Sequence, residues 1–250
     1  MTVRSLHCWI ALAAISAVSA SAAAAPARTS ATAAQAPTRS LYLHLIRQAR
    51  ADGKPRAAIA YLDDFDRQFP GDLSARLLRI NSLLDLDQID EAEAVYTTLD
   101  KASPRGGDAA AVEAVHGHIL AARNAWPQAI ACYQTAIAAN PTDPLLRNAL
   151  GYAQLRTGAY ASAIETLRGA SDLAPEEMVV RNNLLLALTL GGKQADLDAA
   201  LARIGDRRTQ NDLRRQIKAE ADRLSAFANA PKQTALADNT QPLATAKKAR

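Results

Sequence analysis

Two residue types keep the same ruler along this chain. Ala58, Ala92, Ala129 and Ala163 are spaced by 34, 37 and 34 residues. Pro70, Pro104, Pro141 and Pro175 are spaced by 34, 37 and 34 as well. A shared period with a shared three-residue insertion means one structural unit repeated along the chain. A unit this short cannot bury its apolar face alone, so neighbouring units must stack on one another.

Each unit reads as two helices. The first carries large apolar residues: Leu45 and Ile46, then Ile80 and Leu83, then Ile119 and Leu120, then Leu150. A break follows at Gly53, Asp87, Asn124 and Gly158, residue types that tolerate the positive φ which ends a helix. Pro55 and Pro127 stand near the start of the next helix, where a missing N–H costs little. The second helix places its alanine at the closest contact with the first. One turn later comes a bulky residue: Leu62, Tyr96, Tyr133 or Leu167. The proline then stops the helix. An aromatic content of 4% and an alanine-heavy apolar fraction fit helices and oppose an all-β fold.

These residues resemble the tetratricopeptide repeat. Gly117, Ala129, Tyr133, Ala136 and Pro141 occupy its signature positions in one unit. Gly151, Ala163, Leu167, Ala170 and Pro175 occupy them in the next. In the two earlier units Ile46 and Ile80 replace the small residue, and Phe65 and Leu99 replace the second alanine. The resemblance implies an all-α fold, a right-handed α-solenoid of antiparallel helix pairs. The units fall at about 39–72, 73–106, 110–143, 144–177 and 178–204, the fifth degenerate. Leu213, Ile217, Ala221 and Leu224 then share one helical face amid charged residues. Residues 208–228 read as a capping helix, apolar inward and charged outward.

The ends carry a different kind of information. Residues 1–22 combine Arg4, an apolar run from Cys8 to Val18, and small-x-small sites at Val18–Ala20 and Ala20–Ala22. That order is a secretory signal peptide. A retained transmembrane anchor is disfavoured, because a span needs about 20 apolar residues. Nothing suited to spanning a membrane is expected after cleavage. The mature protein is therefore expected to be exported and periplasmic, reaching the outer membrane through partners if at all. Ser5-Leu6-His7 ahead of Cys8 lacks the pattern for lipidation. Cys132 is then the one cysteine left, so no internal disulfide is available. Residues 23–38 read as a flexible linker, and 230–250 as a disordered tail with a basic end.

No reaction chemistry is legible. The sequence has no glycine-rich phosphate loop, no Gly-x-Ser-x-Gly and no Cys-x-x-Cys. His116 and His118 sit two residues apart, which on a helix points them about 200° apart and away from a common metal. Cys132 reads as a small buried residue, and Asp63 with Asp66 as part of a solvated face. No catalytic residue, cofactor, metal or small-molecule substrate is expected. A net charge of +4 is too small to imply nucleic-acid binding, which export also opposes.

What remains is binding. In the family this chain resembles, the first helices line a concave groove that holds a peptide. Carrying the groove positions across gives Arg47, Arg50, Asn81, Leu84, His118, Asn148, Tyr152, Leu155, Asn182 and Leu186. Asn148 and Asn182, 34 apart, are expected to form a ladder offering donors and acceptors to a peptide backbone. Arg47 and Arg50 are expected to attract an acidic segment. The carboxylate clamp of the family needs Lys and Arg beside such asparagines, and they are absent here. The phrases Arg147–Tyr152 and Arg181–Leu186 resemble helices of the tight-adherence (Tad/Flp) pilus assembly repeat proteins. That resemblance implies an exported scaffold that binds protein or peptide partners and aids assembly of an envelope machine. The rival expectation is an adaptor or regulatory subunit of a cell-wall or exopolysaccharide enzyme complex.

Overall fold

The computed structural model describes residues 29–99 and 107–229. The signal expected at 1–22, Pro104 and the tail at 230–250 lie outside the described residues. Among the described residues there are eleven helices and no strand. They pair in order: α1 (Thr29–Ala51) with α2 (Pro55–Gln68), α3 (Leu73–Asp85) with α4 (Ile89–Thr97), α5 (Gly107–Ala122) with α6 (Trp126–Ala139). Then come α7 (Pro144–Arg156) with α8 (Tyr160–Leu173), and α9 (Met178–Leu190) with α10 (Gln194–Ala202). α11 (Arg207–Asn229) closes the array. Each second helix packs on the next unit's first helix, and the first helices touch in α1–α3, α3–α5 and α7–α9. The architecture is an α-solenoid of helix pairs.

The turn inside each hairpin explains its sequence. Gly53, Asp87, Asn124, Gly158 and Gly192 all have positive φ, between 60° and 80°. The amide after each bonds back to the carbonyl five residues earlier: Lys54 to Ala49, Gln88 to Leu83, Ala125 to Leu120, Ala159 to Gln154 and Lys193 to Leu188, at 2.8–2.9 Å. This 6→1 bond needs a left-handed residue, and Asp and Asn are the non-glycine types that accept that geometry at least cost. The opposite ends are set by proline. Phe69, Asn140 and Ala174 precede Pro70, Pro141 and Pro175 and leave the helical region at φ −131°, −138° and −143°. Proline disfavours helical backbone in the residue before it. Asp72 and Asp143 then cap the next helix, accepting from Ala75 and from Leu145 and Leu146.

The four ruler alanines are equivalent: Ala58, Ala92, Ala129 and Ala163 are each 0% exposed. The bulky residue a turn later fills the hairpin interior. In units three and four the first helix makes room with glycine. A Cβ on Gly117 would lie 2.5 Å from Tyr133 Cε1, and one on Gly151 would lie 2.5 Å from Leu167 Cγ. Units one and two solve the same contact differently, with Ile46 and Ile80 themselves fully buried.

Two expectations are amended. Helix α1 begins at Thr29, so residues 29–38 are helical rather than linker. The stretch is alanine-rich, and alanine is the strongest helix former. Asp63 and Asp66 are not merely solvated. Both meet Arg79 of the next unit, at 2.8 and 3.0 Å. Arg39 also meets Asp72, the cap of α3, at 2.6 Å, and Arg50 meets Asp85 of the second unit at 2.9 Å.

Candidate partner-binding surface

The ninth position of every unit forms a row across the first helices: Arg47, Asn81, His118, Tyr152 and Leu186. Only Arg47 is half-exposed; the other four are buried. Asn148 and Leu155 are buried too, whereas Arg50, Leu84 and Asn182 are intermediate. Six of the ten expected groove residues are therefore packed rather than presented to a ligand.

The buried polar members Asn81, His118 and Asn148 are paired within the protein. His118 Nδ1 lies 3.2 Å from Asn81 Oδ1 across α3 and α5. A neutral imidazole with its proton on Nδ1 makes that bond. Burial, assisted by the Arg50 charge, depresses the His118 pKa to about 3. The Tyr133 ring packs beside it at 5.6 Å. Across α7 and α9, Asn183 Nδ2 donates to Asn148 Oδ1 at 2.9 Å. The expected ladder of Asn148 with Asn182 is thus corrected: the neighbour is Asn183. One residue is about 100° on a helix, so the pair faces the adjoining helix and not the groove. Asn182 Oδ1 is itself buried with no hydrogen-bond partner among the described residues.

Helix α11 accounts for the closure at the C-terminal end. It packs against α9 and reaches α10, where Arg214 bonds Asp198 at 2.7 Å. Ile217 and Ala221 join the same apolar cluster as Tyr152, Leu155 and Leu186. The Glu220 carboxylate is buried and close enough to help raise the Tyr152 pKa, behind the larger effect of burial. The last units are therefore lined by the protein's own helix.

The N-terminal end is different. Arg50 is neutralised by Asp85, and Arg39 by Asp72. Arg47 stands among them with no ion pair among the described residues. Its pKa is lowered by burial first and by the Arg39 charge second, with Asp72 opposing. A half-buried cation in that position gains from any anion placed over it.

A further group was not legible as a unit. Glu113 and His116 project from α5 toward Cys132 on α6, and their ligand-type atoms all lie within 4.8 Å of one another. Cys132 Sγ is 3.4 Å from His116 Nδ1. The His116 ring stacks on Tyr96 at 4.8 Å and 17°. Burial, with the Glu113 charge and a hydrogen bond to it, pushes the Cys132 thiol up to about 11. Burial and the same Glu113 push Tyr96 up to about 12. The spacing of 113 and 116 is one helical turn, but the register with 132 depends on how the hairpin closes.

Comparison with known proteins agrees with the fold. A family model described as tetratricopeptide repeat matches residues 49–116, and one described as TPR repeat matches 117–158. Residues 49–158 carry tetratricopeptide repeats. No curated protein matches it significantly. Among solved structures, the tetratricopeptide-repeat protein TTC0263 of Thermus thermophilus is 19% identical. It aligns over 72% of this chain and 97% of its own, with a TM-score of 0.56. The pilF protein of Pseudomonas aeruginosa is 16% identical over 78% of this chain and 90% of its own, with a TM-score of 0.55. At these identities the likeness is one of fold. Tetratricopeptide repeats act as protein-interaction scaffolds, and no catalytic family is indicated. No described helix is long and apolar enough to cross a membrane.

Proposed function

We propose that this protein is an exported scaffold that grips an acidic segment of a partner at the N-terminal end of its repeat array. The observation that carries the reading is Arg47. It is a half-buried guanidinium at a groove position, beside two arginines whose charge is already matched. Arginine is suited to this role because its planar fork binds a carboxylate through two hydrogen bonds. Leu84, on the adjoining first helix, is only partly covered and offers apolar contact to the same segment. The buried positions Asn81, His118, Asn148, Tyr152, Leu155 and Leu186 support the inner wall and do not touch the partner. The secretory pattern at residues 1–22 supports a site of action in the cell envelope. The Arg147–Tyr152 and Arg181–Leu186 phrases support a role in assembling an envelope machine of the tight-adherence pilus or secretion type.

The test is affinity capture from an envelope fraction with the wild type and with Arg47→Glu, read by mass spectrometry. The expected result is a partner retained by the wild type and lost by the variant, with melting unchanged. Equal recovery by both removes Arg47 from the binding surface. Partners drawn from wall-synthesis enzymes in place of assembly components overturn the assembly role and leave the acidic-segment reading standing.

A further inference from the structure

We propose that Glu113, His116 and Cys132 form a binding site for a borderline divalent cation of the zinc class, clipping together the two helices of the third unit. The donor set is thiolate, imidazole and carboxylate, which zinc accepts. The spacing fits. Two ligands at about 2.3 Å (sulfur) and about 2.05 Å (nitrogen) with a tetrahedral angle between them stand about 3.5 Å apart. Cys132 Sγ and His116 Nδ1 are 3.4 Å apart. The carboxylate oxygen, within 4.8 Å of both, needs a side-chain shift of at most about 1.5 Å to reach the separation of a shared ion.

The orientation is held before any ion arrives. Tyr96 of the second unit stacks on His116 and fixes the plane of the imidazole, with Nδ1 aimed at Cys132. Backing of this kind is what keeps metal-binding imidazoles in register.

Charge also fits. Among the described residues no basic side chain lies within ion-pair distance of Glu113. Without a cation, the Cys132 thiol hydrogen-bonds the Glu113 carboxylate. With a divalent cation, the thiol proton leaves to solvent, and the thiolate and carboxylate together cancel the two positive charges. All three side chains are half-buried, so an ion can enter and one coordination position stays open to water. The distinction from a mere thiol–imidazole contact is that all three groups are required at once.

Cobalt(II) is the probe, because it reports thiolate coordination by absorbance. The full chain carrying Cys8→Ser, reduced, is titrated with cobalt chloride, and zinc then displaces the cobalt. The expected result is one ion per chain, a thiolate-to-cobalt charge-transfer band in the near ultraviolet, and visible bands of four-coordinate intensity. Cys132→Ser abolishes the charge-transfer band. Glu113→Gln and His116→Gln each weaken zinc at least tenfold while helicity by circular dichroism is retained. Zinc raises the melting temperature of the parent and not of the variants. Absence of the charge-transfer band in folded protein, its survival in Cys132→Ser, or unchanged zinc affinity in either glutamine variant overturns the site. The two glutamine variants keep the test decisive if Cys132→Ser fails to fold.

Discussion

His118 gives the sharpest quantitative handle on the interior. Its pKa is about 3 in the folded protein against 6.5 in an open chain, because burial penalises the imidazolium and Arg50 adds to the penalty. The sign follows from proton counting. Between the two values the unfolded state binds a proton that the folded state refuses, so stability rises with pH across that window. The contribution is intact above the unfolded value and is lost as pH falls from about 6.5 toward about 3. At about pH 4.5 the loss is about 3 kcal/mol relative to neutral pH, from two units at about 1.4 kcal/mol each. That is a large share of the stability of an ordinary domain. The assay is urea unfolding by circular dichroism at several pH values, for the wild type and for His118→Gln. Glutamine keeps a donor for Asn81 Oδ1 and cannot titrate. Carboxylates elsewhere affect both proteins alike, so the difference between the two curves isolates His118. The wild type should lose about 3 kcal/mol more than the variant on acidification to about pH 4.5. Parallel curves would refute a buried neutral histidine bonded to Asn81.

Other consequences are direct. Gly151→Ala should cost about 1–3 kcal/mol in unfolding experiments, because its Cβ meets Leu167, which is fully buried and has nowhere to move. Gly169→Ala, where the nearest atom is Arg147 Nη1 at 3.9 Å, should gain about 0.5–1 kcal/mol from helix propensity. Asn148→Ala should lower stability by about 0.5–1.5 kcal/mol by removing one hydrogen bond of Asn183, with a fall in melting temperature as the readout. Tyr133→Phe should be neutral or stabilising by about 1 kcal/mol, since the hydroxyl has no partner among the described residues and units one and four place leucine there.

The hairpins were legible because their determinants are local. Positive φ at Asp87 and Asn124, burial of the spaced alanines and the stop before Pro70, Pro141 and Pro175 depend on residues within one or two turns. The binding surface was less legible because it depends on angles between helices. Asn148 and Asn182 share a repeat position, yet the bond forms with Asn183, one step around the helix. Leu155 and Leu186 read as groove residues. In the structure both are buried in one apolar cluster with Ile217 and Ala221 of α11; the sequence marked the apolar face of that helix, but not which residues it would pack with. In sequence Cys132 read as a small buried residue, and His116 as pointing away from any metal shared with His118. The meeting of Cys132 and His116 is set by the closure of the α5–α6 turn. Arg47 stood out in sequence for its charge, but its unmatched state appears only once Arg39 and Arg50 have found their aspartates.

Site-specific photo-crosslinking in the native cell compares the two ends of the inner surface most directly. A photoreactive residue at position 47 should yield a crosslinked partner, and one at position 186, beneath α11, should yield none. Crosslinking at 186 with silence at 47 would contradict the account, because the partner would then occupy the end that the protein's own last helix fills.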